Sequence, residues 1–435
     1  MPDYLSHRQN AVTTEPQNIA ELNSCLETLA DEFGLAWLEQ PGSNPVQELW
    51  QAKHAMATNE LLNLGDAIRN LLQANGRWTK RQIELMKSSD AGQRAGATFE
   101  ILGLNLFNGP GQKVIPARDD QKGYDGTVVL QDGSLRVSIK NHGVSTHETE
   151  FFMRADEIRG EFLDCMARAR ANAMDVRIMA LKQPTTADWS TLRGQVADVV
   201  AGNKPADSST WQGFRREMDP RWQPLSPWHT SYAFLLLAPF HPNEQKKFED
   251  KIGEGIANLE RHCSQVPSDV CRTLFLRLSA SASIPDCAQW AREYFDQYPN
   301  TNVEVIVLYQ AALAVDMARD ATQLTHHFVP VFGPKFATWR DGGAAPRRFS
   351  INSLVGKIEM NATRLIMTNG AATMPMPTGY MFQRSEIYRY YDPQKGQHNA
   401  VISNPAPGVF INAVSRPGPA LTMIASPDSR LLLLP

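Results

Sequence analysis

The chain has 435 residues and a net charge of −3, with 42 % hydrophobic and 20 % charged residues, a balance that suits a large buried core divided among two or three domains. It excludes a chain that is basic throughout, so a nucleic-acid ligand would need a local basic groove. No apolar stretch approaches the roughly 18 residues of a membrane span, and the polar residues 1–17 lack the basic-then-apolar build of a signal peptide.

Residues 18–90 read as helical. The run from Ile19 to Leu29 has apolar residues at helical spacing, and Pro41 to Pro45 breaks it. A second run, Gln47 to Ala74, meets a helix stop at Asn75-Gly76. The cluster Arg77-Trp78-Thr79-Lys80-Arg81 follows. Such a cluster either contacts a nucleic-acid backbone, with Trp78 stacking on a base, or caps a helix whose Trp packs on the core; the second reading is preferred. Residues 1–90 form a helical cap in this reading.

The next stretch is the most informative. A helix is expected over Ala91–Phe107, carrying Glu100. The runs Gly123-Tyr124-Asp125-Gly126-Thr127-Val128-Val129-Leu130 and Leu135-Arg136-Val137-Ser138-Ile139-Lys140 flank an Asp-Gly turn, which signals a hairpin. Strand alternation puts Arg136, Ser138 and Lys140 on one face and Leu135, Val137 and Ile139 on the other. A second helix, Arg154–Met174, and a strand, Val176–Leu181, complete the order helix, two or three strands, helix, strand.

This order and these residues resemble the core of the PD-(D/E)XK nuclease superfamily, in which an Asp on one strand precedes an acidic residue, any residue and a Lys on the next. Asp125 matches the first position, Lys140 the last, and Glu100 the helical glutamate that many members carry. Ser138 stands where the family has Asp or Glu. The resemblance implies a restriction-endonuclease-like αβββαβ core over residues 91–182 and a Mg²⁺- or Mn²⁺-dependent DNA endonuclease serving restriction, antiphage defence or repair. It assigns Glu100, Asp125 and the Ile139 carbonyl to the metal, and Lys140 to the attacking water. Phosphodiester cleavage requires a nucleophilic water and charge stabilisation at phosphorus, both of which a carboxylate-bound Mg²⁺ supplies. A serine can hold a metal-bound water by hydrogen bonding but brings no charge. The missing carboxylate could come from Glu157 or Glu161, four apart on one helix face, or the site could be degenerate and only bind nucleic acid or a partner. A plainer alternative makes Asp125 a turn residue and Lys140 a solvated strand end.

Residues 183–229 read as a connector partly wrapped on the core, since Trp211, Trp222 and Trp228 argue against a free linker. Arg215-Arg216 could reach phosphate or simply be solvated. Residues 230–335 read as a second α/β region: strands at Tyr232–Ala238, Arg272–Leu278 and Val303–Leu308 alternate with helices at Asn243–His262 and Pro285–Gln297. This region is either a module of its own or an arm of one larger sheet with the first half. Gly253-Glu254-Gly255 lies in a helical pattern with no strand before it, so a dinucleotide site is not expected. Asp316, Asp320 and His326-His327 suggest a metal, but a structural role for the His pair is preferred. Residues 336–435 read as a β-rich C-terminal domain of short strands, with basic and aromatic residues interleaved over Arg384–Tyr391. The five cysteines, Cys25, Cys165, Cys263, Cys271 and Cys287, fit thiols in a reducing cytoplasm better than disulfides or a zinc site. DNA is the expected partner, with a homo-oligomer or a defence-complex protein as further partners and no membrane.

Overall fold

The computed structural model describes residues 16–217, 232–237, 243–336 and 349–354 with internal breaks of at most four residues, together with residues 3–6 and 8, five strands between 380 and 425, and Leu432–Leu434. The N-terminal layer is helical. Helix α1 (Pro16–Leu29) passes through a π-helical turn (Ala30–Gly34) into α2 (Leu35–Leu38). Asn44 caps α3 (Pro45–Gln51) by accepting from the Val46 N–H, with Pro45 in the first helical position. Helix α4 spans Ala55–Met86. The Asn75-Gly76 stop signal falls where α4 breaks into two helical segments. Asn75 leaves helical geometry (φ −158°, ψ 86°), and its side-chain oxygen accepts from the Trp78 N–H, which starts the helix again. Asp90 then caps α5 (Ala91–Leu106) through the Gln93 N–H at 2.7 Å.

Three antiparallel strands follow: β1 (Lys113–Pro116), β2 (Gly126–Leu130) and β3 (Gly133–His142). The chain then builds α6 (Thr146–Ala169), β4 (Met174–Ala180), α7 (Thr186–Val200), β5 (Trp211–Glu217) and β6 (Tyr232–Leu237). It continues through α8 (Asn243–His262), β7 (Val270–Leu278), α9 (Ile284–Gln297), β8 (Val305–Asp316), β9 (Ala321–Phe332) and β10 (Phe349–Leu354). The main sheet has the order β1-β2-β3-β7-β8-β9-β10, parallel at β3-β7 and β7-β8 and antiparallel elsewhere. The molecule is therefore mixed α/β, and residues on either side of 183–229 share one sheet.

The helix and strand expected to follow the hairpin in that sheet lie elsewhere. Strand β4 sits between β5 and β6 in a separate three-stranded sheet, and β7 takes the place beside β3. The burial of the two strands explains the difference. Strand β7 buries both faces, Leu274, Leu276 and Leu278 against α8 and α9 and Phe275 against the α4–α5 layer, as a strand between two helical layers must. In β4 the buried side chains Met174, Val176, Ile178 and Ala180 alternate along the strand, and they join α6 and α7 in a cluster of their own with Phe162, Leu192 and Trp211. Residues 183–229 are accordingly no mere connector: their described part includes α7 and β5. Thr185 and Asp188 form a capping box for α7, and Trp189 packs edge-on against Trp211 with centroids 5.0 Å apart.

Further on, β11 (Tyr380–Arg384), β12 (Ile387–Asp392), β13 (Gln397–Ser403), β14 (Val409–Ala413) and β15 (Leu421–Ala425) form an antiparallel five-stranded sheet. Arg384–Tyr391 falls on its first hairpin; the side chains of that stretch lie outside the described residues.

Candidate functional site

The site lies where β3 meets β7. Residues paired in parallel strands share a face, so Ser138 and Lys140, opposite Leu274 and Leu276, face the α8 layer, and Ile139, opposite Phe275, faces α5. Asp125 enters just before β2. Its N–H donates to the Val137 carbonyl at 2.8 Å, and its carbonyl accepts from the Ala117 N–H at 2.9 Å. Gly123 sets the approach: its φ is +85°, and a Cβ there would come within 2.6 Å of the Asn258 carbonyl oxygen in α8. Asp125 Oδ2 then accepts from the Ile139 N–H at 2.5 Å, and the Ser138 hydroxyl donates to the same carboxylate.

Glu100 reaches this point from α5. Burial drives its pKa up to about 8, with the Asp125 carboxylate adding to the shift and Lys140 and Arg81 opposing it. Burial also raises Asp125, against the pull of the Ile139 N–H, Lys140 and Ser138. Glu100 and Asp125 therefore act on one another, and Lys140 on both. Lys140 is engaged further: its Nζ is 3.0 Å from Glu254 Oε1 on α8, and Glu254 Oε2 is 3.0 Å from Lys251 Nζ. Burial pushes the Glu254 carboxyl up, but the two ammonium groups outweigh it and hold it below its ordinary value.

Glu100, Ile139 and Lys140 line a cleft of about 690 Å³ that runs along the first turns of α5, and Arg94, Lys251 and Arg277 line it too. Four of its lining side chains carry positive charge and one is a carboxyl. Two of these cations, Lys140 and Lys251, share the Glu254 carboxylate, and Arg277 is only 3 % exposed. Asp125 and Ser138 adjoin the lining through Ile139; Ser138 is only 2 % exposed.

Other expected residues fall away from this point. Glu157 pairs with Arg154, and Glu161 with Arg193 of α7, so both belong to the charged surface of the α6–α7 layer. Trp78 is buried in the core and does not present a stacking face. His326 and His327 are buried in β9, and His326 Nδ1 lies 2.8 Å from the Tyr309 hydroxyl. Asp320 and the Asp316 side chain lie outside the described residues. Arg215 Nε donates to the Val199 carbonyl at 2.8 Å. None of the five cysteines is joined in a disulfide. No helix among the described residues is long and apolar enough to cross a membrane.

Sequence reasoning missed Glu254, Arg94, Lys251 and Arg277. Lys140 and Glu254 are 114 positions apart, and only the β3-β7 pairing brings them together. One signal was present in Gly253-Glu254-Gly255. A Cβ on Gly255 would sit 2.5 Å from Leu274 Cδ1, so the glycine lets α8 close on β7, and its neighbour Glu254 reaches Lys140 from there.

Among the described residues no group of three or more His, Cys, Asp or Glu side chains is placed to hold a metal ion. Two mutually interacting carboxyl groups remain, a donor set that suits a largely hydrated Mg²⁺ or Mn²⁺ and not a fully liganded zinc. No protein-family model matches the chain, and no curated protein sequence matches it significantly.

Proposed function

We propose that this cleft hydrolyses phosphodiester bonds of DNA with Mg²⁺ or Mn²⁺, as a nuclease of PD-(D/E)XK type acting in restriction, defence or repair in the cytoplasm. The observation that carries the reading is the convergence of Glu100, Asp125 and Lys140, from a helix, a strand entry and a strand end, beside a cleft lined by Arg94, Lys251 and Arg277. The order α5-β1-β2-β3-α8-β7 supports it, with residues 143–242 read as an insertion between β3 and α8.

Glu100 and Asp125 hold the cation in this reading, with the Ile139 carbonyl as a third oxygen. A bound Mg²⁺ supplies a Lewis acid and an acidified water at neutral pH. The protein's own residues do the rest. Arg94, Lys251 and Arg277 neutralise and orient the phosphates. Lys140, positioned by Glu254, holds the water beside the scissile phosphate and offsets charge developing there. The Ile139 N–H and the Ser138 hydroxyl fix the Asp125 carboxylate in one orientation.

A second reading is favoured by one observation. Ser138 is neutral, buried and already bonded to Asp125, which leaves two carboxylates where the family pattern has three. The protein would then bind nucleic acid without cutting it. Incubation with supercoiled plasmid, linear duplex and single-stranded DNA in Mg²⁺ or Mn²⁺ separates the two. The nuclease reading expects cleavage by the wild type and at least a hundredfold loss in folded Asp125→Asn and Lys140→Ala variants. Binding without cleavage in either metal favours the second reading, and equal cleavage by wild type and variants removes both residues from the chemistry.

A further inference from the structure

The cleft lies over the ends of β3 and β7, with α5 on one side of the sheet and α8 on the other. Its two banks differ in chemistry. On the α8 bank stand the ammonium groups of Lys140 and Lys251, each 3.0 Å from one oxygen of Glu254, which holds both in place. On the α5 bank the first turns of the helix present Ala91, Gly92, Ala95 and Gly96, and Pro45 and Val46 at the start of α3 continue that surface. None of these six has a polar side-chain atom. Arg94 leaves through the same bank, and its Nη1 donates to the Ser88 carbonyl at 3.1 Å. Gly96 marks this bank most clearly. It lies in the second turn of α5, where glycine is a poorer helix former than alanine. Among the described residues no atom lies within 4 Å of a Cβ built there. No packing partner excludes a side chain, so what its absence keeps open is the cleft.

We propose that the cleft selects single-stranded over duplex DNA: the uncharged α5 bank receives the flat face of an unpaired base, and Lys140 and Lys251 across from it receive the adjoining phosphate. This selection rests on the nucleic-acid reading of the cleft, whether or not the site cuts. Size favours a single strand. A cleft of about 690 Å³ takes a drug-sized group, about one or two nucleotides, and not the girth of a duplex. Chemistry favours it too. In a duplex the base faces are stacked on one another, and a protein meets phosphates and groove edges. An apolar bank set against those polar groups would strip their water and return no hydrogen bond. An unpaired nucleotide instead offers an apolar face and a charged phosphate in different directions, as single-strand grooves exploit, and the two banks match that division.

The test uses the full chain and a Gly96→Leu variant, whose new side chain would enter the cleft without meeting a neighbour. Leucine also favours the helix, so circular dichroism should be unchanged and the urea midpoint no lower. Gly194→Leu is the control, since Gly194 is an equally open glycine within α7. Fluorescence anisotropy in Ca²⁺ compares a labelled 20-nucleotide single strand with the same strand annealed to its complement. The wild type and Gly194→Leu should bind the single strand at least tenfold tighter than the duplex. Gly96→Leu should bind the single strand at least tenfold more weakly than the wild type does. Duplex bound as tightly as the single strand would overturn the selection and leave the nucleic-acid reading standing. Unchanged single-strand affinity in Gly96→Leu would overturn the role of the α5 bank. Binding of neither DNA by the wild type would overturn the nucleic-acid reading and the selection with it.

Discussion

Ser138 has two neighbours that decide what a substitution there does: the Asp125 carboxylate, to which it donates, and the buried space opposite Leu274. A Ser138→Asp variant would put a second buried carboxylate against the first, so without metal it should be less stable than wild type by about 1–3 kcal/mol, the cost of an unpaired buried polar group. Added Mg²⁺ should restore most of that loss, because a cation offsets the repulsion. Thermal melts in chelator and in millimolar Mg²⁺ measure both; a variant insensitive to Mg²⁺ would contradict a cation between these groups.

The same carboxyls predict a pH profile. Burial lifts Glu60 to about 7 and Glu100 to about 8, above the ordinary value of about 4.3 in an unfolded chain. Stability from a raised carboxyl is fully present below its unfolded pKa and is lost as pH rises through the folded one. Burial lowers His142, beside Lys251, Lys247 and Arg277, and His326 to about 4; their stabilisation is present above the unfolded pKa of about 6.5 and is lost as pH falls to the folded one. The carboxyls and histidines oppose each other between those limits. Above pH 6.5 only the carboxyls still titrate, so urea unfolding of the metal-free protein should show stability falling from pH 6.5 to 8. Glu100→Gln should flatten that fall, and a parallel fall in the variant would show that Glu100 is not its source.

At the scale of elements, the site depends on α8 lying close to the sheet. Gly255→Val would drive a side chain into Leu274, which the glycine now meets without a Cβ. Overpacking of this kind costs about 1–3 kcal/mol, and α8 should shift so that Glu254 no longer holds Lys140. A lowered urea midpoint is expected, together with activity reduced beyond what Glu254→Gln causes alone; equal activities would mean that the close packing serves stability only. The elements also show what was legible from sequence. The β2-β3 hairpin was, because an Asp-Gly turn between alternating runs is a local signal, and the observed register Leu130↔Gly133 leaves a two-residue loop. The nearness of Glu100, Asp125 and Lys140 follows from that same local order. The partner of β3 was not. Both β4 and β7 follow a helix and both read as apolar strands, and β7 takes the place beside β3 because its side chains bury against helices distant in sequence on both sides of the sheet. Asn75-Gly76 was legible as a local helix stop, and the Asn75 side-chain cap starts the next helical segment at once.

At the scale of the whole molecule, the chain from α6 to β6 is an insertion with a hydrophobic cluster of its own, built around Phe151, Phe162, Trp189 and Trp211. Truncating the fully buried Phe162 to Ala should destabilise that cluster by about 3–5 kcal/mol and leave the main sheet intact. Calorimetry should then show one early transition that moves and one that does not; a single transition shifting as a unit would mean that the insertion and the sheet fold together. The long excursion also explains why Glu157 and Glu161 looked like neighbours of the hairpin. They are near in sequence, but the chain carries them into another sheet before α8 returns to complete the site.

The central claim is that Glu100 and Asp125 hold one divalent cation between them. Titration with Mn²⁺ followed by electron paramagnetic resonance reads this directly, with no substrate and no turnover. One bound Mn²⁺ per chain in the wild type, weakened at least tenfold in Glu100→Gln and in Asp125→Asn and displaced by Mg²⁺, is the predicted result. Wild-type protein that binds no Mn²⁺ in the millimolar range, or binds it equally well without either carboxylate, would contradict the account.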